Sequence, residues 1–381
     1  MSPKKIAYIS GSRADFGLMS AVLKAIEKSE ALSLQVYATG MHLMPEYGET
    51  VNEVQKIFPH VKRIDCVFTS HDKPGMARFA GELLSRVVSL FSKDRPDVVL
   101  VLGDRVEMFT IATACLYLGI PIGHIHGGER TGTVDEVARH AISKMASLHF
   151  TAIKESGERL YKMGEEEGRI HLVGAPALDI ILQEKLPTRE EVCMRMGLNP
   201  AEQFILLVQH AVSDEVNEAG QQMEETLQAV KSFTLPILVV YPNTDPGGEK
   251  IIEVIERERS NPLFKIYKNI PYIDFLALER EAAVWVGNSS GALIEAPSFG
   301  TPVVTIGTRQ RGRERARNVI DSSYHHEEIR KAIERSLSKP YRQSLIGMQN
   351  PWGDGKTGLR IAEILKKCVI NGQLLAKQIT Y

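Results

Sequence analysis

Long apolar runs, a cysteine framework and an excess of charge of either sign are all missing from this chain. No apolar stretch reaches the ~20 residues needed to cross a bilayer. The four cysteines, Cys66, Cys115, Cys193 and Cys368, lie far apart with no CxxC pair, which argues against disulfide staples and a cysteine zinc site and predicts reduced thiols in a cytosolic protein. Lysine and arginine number 46 against 47 acids, a formal charge of −1, so no global field draws the chain to nucleic acid or anionic lipid. A polyanionic substrate must then be met by local arginines and helix ends. Lys4 and Lys5 before an apolar run resemble a signal peptide only superficially: after about five residues the run meets Arg13 and Asp15, as a first strand would. Low-complexity segments and repeated sequence are also missing. NPWGDGKTG (350–358) falls short of a P-loop, because Asn350 stands where glycine is required and no strand precedes it; ATPase chemistry is rejected.

What is present is alternation. Strand patterns at 6–10, 32–40, 98–104 and 121–128 are interleaved with helical spacing at 18–29, 79–97 and 109–119. A second series runs through strands at 204–210, 236–243, 282–287 and 302–307, with helices at 220–233, 250–259 and 292–300. The length of 381 residues suits two domains, and the pattern predicts an α/β chain of two Rossmann-like domains, each a parallel sheet with helices on both faces. The expected boundaries are 1–182 for an N-terminal domain carrying most acid/base residues, 183–360 for a C-terminal UDP-binding domain, and 361–381 for a terminal helix packing back across the junction. Ligands of such sheets bind outside the carboxyl ends of the strands, so a cleft lined by both domains is expected.

The richest stretch is GNSSGALIEAPSFGTPVVTIGTR (287–309). Gly287, Ser289, Ser290 and Gly291 join a buried strand to a helix start, where small residues and free N–H groups suit a diphosphate. Glu295, one turn in, is placed to reach a pair of sugar hydroxyls, which makes the whole read as a grip on a nucleotide-sugar. TRQRGRERAR (308–317) follows, and Arg309 or Arg313 can supply positive charge. GSRADFG (11–17) is a glycine-bounded loop in which Arg13 suits a phosphate, although a plain strand-to-helix turn explains it equally. GDRVE (103–107) puts Asp104 and Arg105 at a strand end, where an aspartate is as often a helix cap. HIHGGERTGTVDEVARH (124–140) crowds His126, Glu129, Asp135 and Arg139 after a strand. His124 and His126 share a strand face, yet a third ligand at zinc spacing is missing. Proton transfer at carbon uses such groups when they are positioned and dry. His210 ends the first strand of the second series, and Asn243 sits in the turn-rich YPNTDPGG (241–248).

Together these stretches, with TGMHL (39–43), DEVARHAISKMASLHF (135–150) and NPWGDGK, resemble the UDP-N-acetylglucosamine 2-epimerase family, in its hydrolysing branch. The resemblance runs from residue 11 to 356. It implies the glycosyltransferase-B architecture, no cofactor or metal, a UDP-sugar partner and a homodimer or homotetramer. It also implies a reaction: UDP-N-acetylglucosamine and water give N-acetylmannosamine and UDP, through a glycal formed by loss of the carbon-2 proton with departure of UDP from carbon 1. Asp104 and Asp135 match acid/base positions, with His126 and Glu129 both candidates for the hydration step. His210 matches the group assisting UDP departure. Arg13, Asp15, His42, Arg105, Arg139, Asn243, Gly287, Ser289, Ser290, Gly291, Glu295, Arg309 and Arg313 are expected on substrate or UDP. Residues 210–214 read HAVSD, unlike the HRREN-like stretch of non-hydrolysing relatives. TGMHLMPEYG is similar to relatives acting on UDP-N,N′-diacetylbacillosamine, the nearest rival substrate. A glycosyltransferase or a nucleotide-sugar sensor of the same fold has less use for acids at 104 and 129–136.

Overall fold

Short apolar segments build two separate sheets in the computed structural model, which describes every residue except Met1, His71, Gly132, Thr133 and Thr244, and leaves out the side chain of Val134. Gly132 and Thr133 of the 124–140 stretch, and Thr244 of the 241–248 loop, therefore lie outside the described residues. The first sheet contains β1 (Lys4–Ser10), β2 (Leu32–Ala38), β3 (Lys62–Arg63), β4 (Val98–Leu102), β5 (Ile122–Ile125), β6 (Leu148–Thr151) and β7 (Ile170–Leu172), in the order β3-β2-β1-β4-β5-β6-β7. The second contains β8 (Ile205–Val208), β9 (Ile237–Val240), β10 (Phe264–Tyr267), β11 (Val284–Gly287), β12 (Val303–Ile306) and β13 (Val319–Ser322), in the order β10-β9-β8-β11-β12-β13. Every pairing between neighbours is parallel. Central strands such as VVLVL (98–102) and ILLV (205–208) are buried at every position, because helices cover both faces of such a sheet. Among the described residues, no helix is long and apolar enough to cross a membrane.

Two compact units result: Met1–Glu129 with Asp135–Gln183 and Trp352–Tyr381, and Arg130–Val134 with Glu184–Pro351. Residues 352–360, expected in the second domain, belong to the first. The reason is local. Trp352 is fully buried, and its carbonyl accepts from the Ala175 N–H at 2.7 Å. Asp179 caps the helix Thr357–Lys367 by accepting from the Thr357 and Gly358 N–H groups at 2.8 and 2.6 Å. Gly358 then lies against Ala21 and Val22 of the helix Arg13–Glu27, where a Cβ would meet backbone at 3.0 Å. The phosphate-loop look-alike is thus a packing and capping device.

Local chemistry sets the other ends. Asp72 accepts from the Gly75 N–H at 2.8 Å and Pro74 sits in the first turn, so the helix expected at 79–97 begins at Lys73 and ends at Lys93. The helix expected at 292–300 is one α-turn, Gly291–Ile294, followed by a 3₁₀ turn at Ala296–Ser298. Pro297 lacks the N–H that a continuing α-helix needs.

Candidate active site

In the first unit, β4 and β5 are adjacent, so the loops leaving them meet. Gly103 (φ +70°) turns the chain out of β4, and its N–H donates to the Ile125 carbonyl at 2.9 Å. Asp104 follows, its side chain 18% exposed, paired with Arg139 of the helix Val134–Met145. The buried Arg139 guanidinium also donates to the His126 carbonyl at 2.8 Å and lies 3.8 Å from Glu129. Burial disfavours its charge, but the carboxylates of Asp104, Glu129 and Asp135 outweigh this and push it above the ordinary arginine value. One cation therefore organises three acids. His126 adopts φ +61°, a left-handed backbone that costs on the order of 1–3 kcal/mol in a non-glycine residue and clusters at functional sites. The turn aims its Nδ1 at the fully buried Glu129 carboxylate. A carboxylate accepts, so Nδ1 carries the hydrogen and Nε2 of a neutral ring keeps the lone pair.

His124 and His126, expected to share a strand face, do not. β5 ends at Ile125, and the left-handed turn rotates His126 off the strand face that holds His124. His124 is fully buried and pushed down to about 3 by burial. As a neutral ring its Nε2–H donates to the Gly103 carbonyl at 2.8 Å, while Nδ1 accepts from the Ser143 hydroxyl at 3.0 Å. It props the Asp104 loop from within.

Four expected binding residues of this unit are engaged internally. Asp15 is a capping-box carboxylate, accepting from the Gly11 and Ser12 N–H groups at 3.0 and 2.7 Å, the Tyr8 hydroxyl at 3.0 Å, and Ser10. Both of its oxygens are engaged within the chain. His42 is fully buried, its ring nitrogens lie 2.8 Å from the Ser10 and Thr50 hydroxyls, and burial pushes it down to about 4. Arg13 pairs with Glu53 at 2.9 Å. Arg105 donates to both oxygens of buried Glu107 at 3.1 and 3.2 Å. Glu107, unremarked within GDRVE, also fills the space a Cβ on Gly11 would need, at 2.6 Å.

In the second unit the loops after β8, β9, β11 and β12 are tied through Asn288. Its side chain accepts from the His210 N–H at 2.7 Å and donates to the His210 carbonyl at 2.9 Å. Its own carbonyl accepts from Gln310 at 2.9 Å and Arg309 at 3.5 Å. The Asn243 N–H donates to His210 Nδ1 at 3.1 Å, so the ring hydrogen sits on Nε2. Asp245 accepts from the Asn243 amide at 2.8 Å and Arg309 at 3.2 Å. Buried Arg313 joins through Gln310 at 3.2 Å. His210, Asn243, Arg309 and Arg313 are thus brought together, with Ser289, Ser290 and Gly291 half-buried after β11. Asn288 and Asp245 were legible inside GNSSG and YPNTDP, but neither type stands out there.

Two expectations in this loop change. Gly287 (φ +134°) makes room for its neighbouring strand: a Cβ would lie 1.9 Å from the Val208 carbonyl oxygen. Glu295 does not project from a helix turn. It is 3% exposed, lies under Gly291, and accepts from the Tyr272 hydroxyl at 2.7 Å. Burial first, then the neighbouring Glu295 carboxylate, push the fully buried Glu279 well above the ordinary carboxyl range. The folded chain therefore keeps a proton that the unfolded chain releases above its ordinary 4.5, and this contribution to stability declines as pH rises through and beyond 4.5. Glu279→Gln, which cannot ionise, is expected to melt with the parent near pH 4 and progressively above it toward pH 8. A pH-independent difference in melting temperature contradicts the protonated acid.

Comparison with known proteins shows the family and the fold. The family model described as UDP-N-acetylglucosamine 2-epimerase matches residues 24–366. The chain is 41% identical over 377 residues to the UDP-N,N′-diacetylbacillosamine 2-epimerase (hydrolyzing) of Legionella pneumophila, covering 98% of each. It is 34% identical over 336 residues to a UDP-N-acetylglucosamine 2-epimerase of Neisseria meningitidis serogroup B, covering 88% of each. Among solved structures, the Neisseria meningitidis UDP-GlcNAc 2-epimerase bound to UDP-GlcNAc matches with a TM-score of 0.80 at 20% identity, over 96% of this chain and 100% of that one. The Methanocaldococcus jannaschii UDP-GlcNAc 2-epimerase in complex with UDP-GlcNAc and UDP matches at 0.79 and 22%, over 95% and 99%. These two likenesses show the fold.

Proposed function

The chain belongs to the UDP-N-acetylglucosamine 2-epimerase family, and from that premise we propose that it is a hydrolysing 2-epimerase of a UDP-linked 2-acetamido sugar. The observation that carries the reading is the cluster of Asp104, Arg139, Glu129 and His126, an arrangement of acid/base groups in the loops leaving two adjacent strands. A phosphate grip alone has no use for it.

The carbon-2 hydrogen of the sugar is weakly acidic, so its removal must be coupled to a good leaving group. Asp104, paired with Arg139, takes that proton as the carbon 1–oxygen bond to UDP breaks. The electron pair of the C–H bond forms the carbon 1–carbon 2 double bond, and the pair of the broken C–O bond leaves with UDP. The leaving-group end is assigned to the second unit: His210 directs its Nε2–H at the departing diphosphate, with Arg309, Arg313 and the Asn243 loop balancing its charge. Asp135 serves as the second acid/base group at carbon 2. In hydration, water adds its oxygen to carbon 1 and a proton enters carbon 2 from the opposite face. His126, oriented by Glu129, exchanges protons through Nε2, which assigns Glu129 the orienting role.

HAVSD at 210–214, in place of the arginine-rich stretch of non-hydrolysing relatives, supports release of a free sugar. The 41% identity over nearly the whole chain favours the 2,4-diacetamido sugar over N-acetylglucosamine. Four unpaired cysteines suit a cytosolic setting.

The test is turnover in deuterium oxide with UDP-N-acetylglucosamine and UDP-N,N′-diacetylbacillosamine side by side, followed by NMR. The expected products are UDP and a free 2-epimerised sugar carrying deuterium at carbon 2, formed faster from the diacetamido substrate. Protium retained at carbon 2 contradicts the elimination. A product still joined to UDP contradicts hydrolysis.

A further inference from the structure

A second buried charge cluster of the first unit centres on Glu165. Glu165 is fully buried and contacts three basic side chains: Lys144 at 2.7 Å, Lys377 at 2.8 Å and His149 at 2.9 Å. Burial opposes its charge, but hydrogen bonds from His149, Lys144 and Lys377 outweigh this and bring the carboxyl down to about 2. Buried ion clusters of this kind contribute little net stability, since desolvation cancels most of the attraction. What this one does is bind a distant segment. Arg169 donates to the Leu374 and Gln373 carbonyls at 2.6 and 2.9 Å, and the Thr380 N–H donates to the Gly164 carbonyl at 3.3 Å. Gly164 (φ +83°) leaves space that Tyr381 and Ile379 occupy, 2.7 and 3.0 Å from where a Cβ would stand. Residues 373–381 are thereby strapped down, whereas such segments ordinarily fray.

The strap reaches the reaction cluster through one helix. Besides Glu165, Lys377 Nζ donates to the Ser143 and Ala146 carbonyls at 3.0 and 2.9 Å. These are terminal carbonyls of the helix Val134–Met145, where an ammonium adds a charged donor and suits the negative dipole end. Lys144 ties the same last turn to Glu165. Ser143 holds His124, and His124 holds the Gly103 carbonyl beside Asp104. The helix's first turn carries Asp135, and Arg139 stands in its middle. One end of the helix is therefore clamped by the strap, while the rest presents the groups that organise the acids.

We propose that Lys377 is a positioning residue, through which segment 373–381 clamps the helix Val134–Met145 and sets the placement of Asp135, Arg139 and the Asp104 loop for proton transfer. The catalytic part rests on the epimerase reading above; the mechanical part does not.

Lys377→Met and Lys377→Arg are compared with the parent by steady-state kinetics, UDP titration and amide hydrogen exchange. Lys377→Met is expected to lower kcat about tenfold, since sub-ångström misplacement of reacting groups is costly. KM and the Kd for UDP are expected to stay within about twofold, because the lost interaction serves the reaction and not the grip. Exchange across residues 135–145 should accelerate, and Lys377→Arg should restore both rate and protection. A lowered melting temperature with parental kcat makes the strap structural only and overturns the proposal, as does unchanged exchange across 135–145. Should the parent turn over neither sugar nucleotide, the epimerase reading falls alone, and the exchange comparison still decides whether Lys377 holds the helix.

Discussion

Asp104→Asn is expected to lower kcat by about 10³-fold, the scale of losing a general base. The Kd for UDP is expected to stay within about tenfold, or ~1.4 kcal/mol. Asparagine keeps the size and one carbonyl acceptor for Arg139, so the loop held by Gly103 and His124 has no cause to move. What disappears is the ability to take a proton. The residues assigned to the diphosphate belong to the second unit, whereas Asp104 belongs to the first. Loss of UDP binding along with turnover makes Asp104 a binding residue. Retained turnover transfers the base role to Asp135, another of the carboxylates that act on Arg139.

Much of this was readable from residue order. Period and punctuation located the strands named at the outset to within a few residues, because buried parallel strands are short apolar runs with little freedom in length. The strand-end rule then pointed to two loop clusters: Asp104 and His126 follow adjacent strands, as do His210 and Ser289. Burial of polar side chains was harder. Asp15 lies three residues after Ser12, a capping-box spacing that explains its buried oxygens without a ligand, yet an arginine-bearing glycine loop drew the reading toward phosphate. His42 shows nothing in sequence of its position between two hydroxyls. Glu279 sits in a charged run, LERE, that resembles any solvated helix face, and only its burial, with Glu295 beside it, makes it an acid kept protonated. Glu165 is similar, since its partners come from a helix, a strand and a remote segment. Long-range charge pairing leaves no periodic trace, whereas strands and caps do.

Arg139→Met is the variant expected to damage both fold and reaction. The guanidinium is the cation shared by Asp104 and Glu129, and it also satisfies the His126 carbonyl behind the strained left-handed turn. Methionine fills part of the volume but removes the cation beside the fully buried Glu129. Removing one partner of a buried charge network costs about 3–5 kcal/mol, because the remaining charge stays out of water uncompensated. Denaturant unfolding followed by a probe in the first unit should show that loss, while a probe in the second unit moves less, since the two sheets have separate cores. Turnover should fall even where the variant is fully folded, because Asp104 loses its paired cation and the His126 carbonyl its guanidinium donor. Arg139→Lys separates charge from geometry. An ammonium can neutralise one carboxylate but cannot bridge Asp104 and the His126 carbonyl with a rigid fork, so it should recover stability more than rate. Equal recovery of both reduces Arg139 to a counter-ion, and full activity in Arg139→Met removes the cluster from the reaction.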